Sequence, residues 1–156
     1  MLKRMQKKKN ENKGFTLVEL IVVLVILAIL AAILVPALLG YIDRAKGQQI
    51  VLNARSCYTA AQAELSGMYG KDKAYSDIAT DPYKASVLNT ADVPKCTNLV
   101  IGVIDSDNTK KEHEDYTVAY VLYEENGQKI YFDGTSWEET EPAIASNANL
   151  KTFDLK

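Results

Sequence analysis

Glu19 occupies a position in this sequence that needs a chemical explanation. It stands directly before an apolar run without charged residues that extends from Leu20 to Leu39. A carboxylate at or inside hydrocarbon costs at least a few kcal/mol unless it is neutralised. No Lys or Arg follows Glu19 within helical reach. We therefore expect this acid to take a positively charged partner from outside the run.

Gly14 and Phe15 offer a way to make that partner. Cleavage of the bond between them would create a new ammonium group on Phe15, close in sequence to Glu19. Opposite charges at close range favour each other's ionised form. The sequence therefore predicts a processing step at Gly14–Phe15 and a charge pair between Phe15 and Glu19.

The apolar run that follows Glu19 is long enough to cross a bilayer. Its length of about 20 residues corresponds to roughly 30 Å of helix, the thickness of the hydrocarbon core. The run is apolar on all sides, which disfavours the alternative of a buried core helix in a soluble protein. A cleaved secretory signal is a second alternative, but the apolar part of such signals is usually about 7 to 15 residues long. We interpret the run as a membrane-spanning helix.

The charge of the chain is distributed unevenly, and this predicts its orientation. The net charge is −2, yet residues 1–14 are strongly basic, with Lys3, Arg4, Lys7, Lys8, Lys9 and Lys13 against Glu11. Basic residues next to a membrane span stay in the cytoplasm, so the C-terminal part is expected outside. A nucleic-acid-binding arm is the alternative interpretation of the leader, but the acidic remainder disfavours a general nucleic-acid surface, and we predict no specific nucleic-acid partner.

Residues 13–21, KGFTLVELI, closely resemble the class III signal of type IV prepilins. The resemblance implies that a membrane-embedded prepilin peptidase cuts after Gly14 and N-methylates Phe15. It implies that Glu19 neutralises the terminal amine of a neighbouring subunit during assembly into a helical homo-oligomeric filament. It also implies two further partners, the inner-membrane lipid before assembly and a pilus assembly platform.

Pro36 lies inside the predicted helix. It lacks an amide hydrogen and its ring clashes with the preceding turn, so we expect a kink or a local loss of helix there. The resemblance to type IV pilins includes this residue, because many pilins have a helix-kinking proline at the matching position. Further along, apolar residues recur at helical spacing and predict an amphipathic continuation that packs on a sheet: Ile50, Ala54, Cys57, Ala61, Leu65 and Met68.

The rest of the chain is predicted to form a small antiparallel sheet, in part because Asn126-Gly127 favours a tight hairpin turn. The fold class is therefore α+β, in which a long N-terminal helix, membrane-spanning in its first half, packs on three or four strands. The predicted segments are a cleaved leader (1–14), a transmembrane and assembly half-helix (15–40) and a globular head (41–156). Within the head we expect the second half of the helix at 41–68, a connecting loop at 69–97, the sheet at 98–141 and a C-terminal tail at 142–156.

The two cysteines, Cys57 and Cys96, lie in the part predicted to be outside the cytoplasm, where disulfides persist. A bond between them would close a loop of about 40 residues and contribute roughly 2 to 4 kcal/mol. Two unpaired thiols, with Cys57 serving as a small core residue, remain the alternative. Many pilins instead close a C-terminal loop, a pattern that this sequence does not share.

Catalytic residues do not form a recognisable constellation, so we predict no enzyme activity, no cofactor and no metal site. His113, the single histidine, lies in a polar segment and is expected to be solvated. Asp105-Ser106-Asp107-Asn108 is similar to the start of a calcium loop, but Lys110 and Tyr116 stand where that loop requires Gly and Glu.

These patterns together predict a structural subunit of a type IV pilus that serves adhesion, twitching motility or DNA uptake. The alternative is a pseudopilin of a type II secretion or competence DNA-uptake system, which would share the same front end. We expect the chain in the cytoplasmic membrane before assembly, with its N-terminus inside, and in an extracellular pilus afterwards.

Overall fold

A computed structural model describes residues 14–105 and 113–156, which divide into two units. The first unit extends to Arg44 and is helical from Leu17 onward, and the second comprises Ala45–Lys156. The α-helices are α1 (Leu17–Gly70) and α2 (Tyr83–Ala91), and the 3-10 turns are Tyr75–Ala79, His113–Tyr116 and Ala143–Ser146. With the sheet described next, the fold is α+β as predicted.

The sheet is antiparallel and has five strands in the order β4-β3-β2-β1-β5, rather than the three or four that were predicted. Asn126 and Gly127 take positive φ angles of 53° and 77° between β2 and β3, which confirms the predicted hairpin turn. The strand bounds are β1 Cys96–Ile104, β2 Val118–Glu125, β3 Gln128–Phe132, β4 Trp137–Glu138 and β5 Leu150–Asp154.

The sheet extends beyond the predicted range of 98–141 at both ends, because β1 begins at Cys96 and the tail supplies β5. The tail at 142–156 was expected only to lie against the head. Instead, β5 pairs with β1 from Val100↔Asp154 to Ile104↔Leu150, and Leu155 continues the pairing by donating to the carbonyl of Leu99 at 2.8 Å. This pairing joins segments about 50 residues apart in sequence, so local patterning could not reveal it.

Within the second unit, α1 packs on one face of the sheet. All the residues of the predicted stripe are buried, together with Ala60: Ile50, Ala54, Cys57, Ala60, Ala61, Leu65 and Met68. From the sheet, the alternate side chains Leu99, Ile101 and Val103 enter the same core with exposures of 0%. An aromatic contact between Tyr58 and Phe132, with ring centroids 4.9 Å apart, closes one side of this core.

Gln62 of α1 holds the beginning of β2 in place. Its side-chain nitrogen donates to the carbonyl of Tyr116 at 3.0 Å, and its oxygen accepts from the amide of Val118 at 2.8 Å. The side chain thus provides hydrogen-bond partners for the backbone groups on both sides of Thr117, as a neighbouring strand would. A second polar tie joins α1 to α2, where Ser86 donates a short hydrogen bond to Glu64.

Candidate processing and assembly site

The Gly14–Phe15 bond precedes the first residue of α1. Gly14 and Phe15 are both exposed, and Phe15 exposes 80% of its surface. Among the described residues, no atom other than those of its chain neighbours lies within 4 Å of the position that a Cβ on Gly14 would occupy. The bond is therefore outside regular secondary structure and accessible in the described part of the chain, as a peptidase substrate must be. The basic residues before it, 1–13, lie outside the described residues.

Thr16 and Glu19 form a capping box at the start of α1. The Glu19 carboxylate accepts from the Thr16 amide at 2.8 Å and from the Thr16 hydroxyl at 2.7 Å. In return, the Glu19 amide donates to the Thr16 hydroxyl oxygen at 3.2 Å. These bonds satisfy amide groups that have no partner within the helix. Sequence reasoning assigned Glu19 a charge partner but missed Thr16, although the T-x-x-E spacing is the signature of this motif.

The capping box determines where the Glu19 carboxylate lies. It is turned back toward the chain before the helix and contacts Thr16, the residue that directly follows Phe15. In the uncleaved chain the nitrogen of Phe15 is an amide, so the predicted Phe15–Glu19 charge pair awaits processing and stays a prediction. The carboxylate bonds Thr16, which directly follows the residue that would carry the new charge.

The helix that follows exposes apolar side chains on every side. All residues from 15 to 42 are exposed, including Leu24, Ile33 and Leu38 at 58–71%. Within the described residues, α1 is a helix long and apolar enough to cross a membrane. Burying such a surface in lipid or against other apolar helices is strongly favourable. The segment therefore fits membrane anchoring.

Pro36 lies within α1, and the helix is assigned without interruption through it. The local loss of helix that the sequence allowed is therefore not observed at this position. The kink remains a prediction. Pro36, Ala37, Gly40, Tyr41 and Arg44 line a shallow depression on this part of the helix.

A polar network that starts at the surface connects α1 to the buried Glu125 at the end of β2. Gln49 donates to Asn53 at 2.9 Å, and Asn53 donates to the Glu125 carboxylate at 2.7 Å. The Tyr123 hydroxyl donates to the same carboxylate oxygen at 2.7 Å. Burial, followed by its bond to Glu125, raises the pKa of Tyr123. Because Glu125 is only 4% exposed, its carboxylate is largely shielded from water, and these donors supply the hydrogen bonds that water would otherwise provide. Sequence reasoning missed this network because its members are far apart in the chain.

Cys57 and Cys96 are both buried in the core of the second unit and are both present as thiols. Cys57 lies on the buried face of α1, and Cys96 is the first residue of β1. Burial, and secondarily the Cys96 sulfur, raises the pKa of Cys57 to about 12. The Cys96 thiol contacts the carbonyl of Asn98 at 3.4 Å. The disulfide stays a prediction.

Metal-binding side chains are not clustered within residues 14–105 and 113–156, where no group of three or more His, Cys, Asp or Glu residues is placed to hold an ion. Most of the calcium-like segment, including Asp107, Asn108 and Lys110, lies outside the described residues, and so does the side chain of His113. Asp105 is buried and accepts a hydrogen bond from the Tyr75 hydroxyl at 2.6 Å.

Comparison with known proteins identifies the N-terminal segment. Residues 9–35 match the family model of the prokaryotic N-terminal methylation motif. The match covers the basic end of the leader, the Gly14–Phe15 bond, Glu19 and most of the apolar run. No curated protein and no solved structure matches the chain.

Proposed function

Because this chain carries the prokaryotic N-terminal methylation motif, which is typical of type IV pilin-like prepilins and pseudopilins, we propose that it is a structural subunit of a type IV pilus. The motif implies processing by a prepilin peptidase and assembly into a pilus-type structure in general. We further propose that the pilus serves adhesion, motility or DNA uptake.

One observation carries this proposal. From Phe15 to Ile42 every side chain is exposed, and Glu19 is the single acid or base in that stretch. An apolar surface of this extent needs lipid or other apolar helices as its surroundings. A filament of many copies supplies those helices, and the stretch exchanges lipid for neighbouring subunits when it leaves the membrane.

The capping box supports a role for Glu19 in that exchange. After cleavage the Phe15 nitrogen becomes an ammonium group, and methylation preserves its positive charge. The Glu19 carboxylate, bonded to Thr16, lies near this charge in its own chain. In the filament it can instead pair with the terminal amine of an adjacent subunit. Pairing in either way lowers the cost of holding two charges in an apolar environment.

The proposed orientation follows from the charges on either side of the span. The leader is basic, and the head is acidic overall. With the leader in the cytoplasm, the second unit lies outside, where it can become the surface of an extracellular fibre.

The intact mass of the protein purified from its own host tests processing. A chain that begins at N-methylated Phe15 supports the proposal, and a chain that still begins at Met1 contradicts it. The matched variant Gly14→Ala is expected to accumulate unprocessed chain, because a Cβ would hinder close approach of the peptidase to the backbone.

Electron microscopy of cells under ordinary expression separates a pilin from a pseudopilin. Long surface fibres that contain this chain are expected for a pilin. Their absence in cells that process the chain normally would instead favour a pseudopilin of a secretion or DNA-uptake machine.

A further inference from the structure

Cys57 and Cys96 lie on two elements that share the core of the second unit, α1 and β1. Their exposures are 0% and 3%, and both belong to the same hydrophobic core. One sulfur belongs to the long helix and the other to the first strand. A covalent bond between them would therefore join the second half of α1 directly to the sheet.

Hydrogen bonds and strand register place the two residues at the same level of the structure. Asn53 of α1 bonds the Glu125 carboxylate at 2.7 Å, and Glu125 is the register partner of Cys96 on the adjacent strand. Cys57 lies one helical turn after Asn53, so its side chain points from the same face of α1. The two thiols consequently enter one small volume of the core.

Electrostatics agrees with this placement. The Cys96 sulfur raises the pKa of Cys57, although burial is the larger cause. Burial raises the pKa of both thiols, and the positive charge of Lys156 offsets part of that rise in each. Both thiols are thus within electrostatic reach of Lys156, and Cys57 is also within reach of Cys96.

We propose that Cys57 and Cys96 form a disulfide while the chain folds on the outer side of the membrane, by exchange with a disulfide-bearing thiol oxidoreductase. One cysteine thiolate attacks the disulfide of the oxidoreductase and releases one of its thiols. The second cysteine thiolate then attacks the mixed disulfide and releases the other thiol. Two electrons pass from the cysteines to the oxidoreductase, which leaves as a dithiol, and the two cysteine protons pass to water or to the released thiolates.

The packing of α1 on the sheet determines when this reaction takes place. In the folded chain both thiols are shielded from solvent, and a pKa of about 12 leaves Cys57 almost entirely as the unreactive thiol. Exchange therefore occurs before α1 packs on the sheet. Once formed, the bond is protected from reductants by the same burial.

The bond would give the head a covalent connection to the helix that anchors it. It closes the segment between Cys57 and Cys96, which contains the end of α1, the 3-10 turn at Tyr75–Ala79 and α2. Such a cross-link restricts the unfolded chain and retains the attachment of the sheet when the helix is pulled. The location outside the cytoplasm rests on the proposed function, whereas the proximity of the thiols does not.

Mass spectrometry of the full chain from its own host tests the proposal. Protein is quenched in acid, denatured without reductant, treated with an alkylating maleimide and measured intact. No added group is expected, and two are expected after prior reduction. One or two maleimide groups on protein that was not reduced would overturn the proposal. The same spectrum reports the N-terminal residue, so a chain that begins at Phe15 yet carries two free thiols would contradict the disulfide and leave the proposed function standing.

Thermal unfolding of the full chain in detergent provides a second test. Reductant is expected to lower the melting temperature of the wild-type protein after unfolding and refolding, but not that of Cys57→Ala or Cys96→Ala. Because the comparison is made within each variant, a general loss of stability from the substitution does not affect it. An equal response of the wild type and both variants to reductant would count against the bond.

Discussion

Thr16 and Glu19 bond each other in both directions at the first turn of α1, with three hydrogen bonds of 2.7, 2.8 and 3.2 Å. Glu19 therefore has two roles that can be separated. It accepts hydrogen bonds that cap α1, and its negative charge is proposed to act in assembly. A substitution that removes both cannot assign a defect to either one. Two variants that each remove one property can do so.

Glu19→Gln retains a side-chain oxygen for Thr16 but removes the charge. We expect normal cleavage at Gly14–Phe15 and a strong decrease in fibre yield, because the Phe15 ammonium loses its partner. Immunoblots of sheared fibres against total cell protein measure this ratio. Fibre yield equal to the wild type would contradict the charge-pair mechanism.

Thr16→Ala retains the charge but removes the hydroxyl of the capping box. Loss of a helix cap costs about 0.5–2 kcal/mol, which is expected to fray the first turn of α1. Thr16→Ser is the matched control, since it restores the hydroxyl. Amide hydrogen exchange in detergent reports the change, and equal protection of the first turn in the two variants would refute the cap.

Glu125→Ala is expected to destabilise the second unit. It leaves the buried Tyr123 hydroxyl without its acceptor, at about 1–3 kcal/mol for an unsatisfied buried group, and it also removes the acceptor of the half-buried Asn53. Glu124→Ala is the control, because the neighbouring side chain is half-buried on the opposite face of the strand. The denaturation midpoint of the full chain measures both, and similar midpoints for the two variants would contradict the prediction.

Gly102→Ala is expected to destabilise the sheet by about 1–3 kcal/mol through overpacking. A Cβ on Gly102 would lie 2.9 Å from the Cβ of Tyr120 and 2.8 Å from the Cδ1 of Leu150 on β5. The Cβ of Tyr120 cannot move without its strand. Gly67→Ala serves as the control. Gly67 lies in α1, and an added Cβ there would have no neighbour within 4 Å among the described residues outside its own helical turn, so this substitution is expected to be neutral or stabilising. A thermal melt compares them.

The turn at Asp133 is expected to depend on pH. Its carboxylate accepts from the amides of Ser136 and Thr135 and from the Thr135 hydroxyl, and these bonds lower its pKa from 3.8 to about 2. Because the folded pKa is depressed, the contribution to stability is complete above pH 3.8 and is lost as the pH falls toward 2. Amide shifts of Thr135 and Ser136 should titrate in that window, and Asp133→Asn should remove the titration.

The sequence contained most of the information about α1. The membrane-length apolar run, the acid before it and the Gly14–Phe15 bond are contiguous, and a 3.6-residue period depends only on neighbours along the chain. Each of the residues predicted to face the sheet, from Ile50 to Met68, is buried. The hairpin turn at Asn126-Gly127 was equally visible, because positive φ is a local property of those residue types.

The tertiary structure decided the features that join distant segments. The pairing of β5 with β1 and the Asn53–Glu125 bond each connect residues about 50 to 70 positions apart. Their formation depends on which strand edge is open and on which helix turn faces which strand. Those relations arise only when the whole core packs, so no local pattern of residues encodes them.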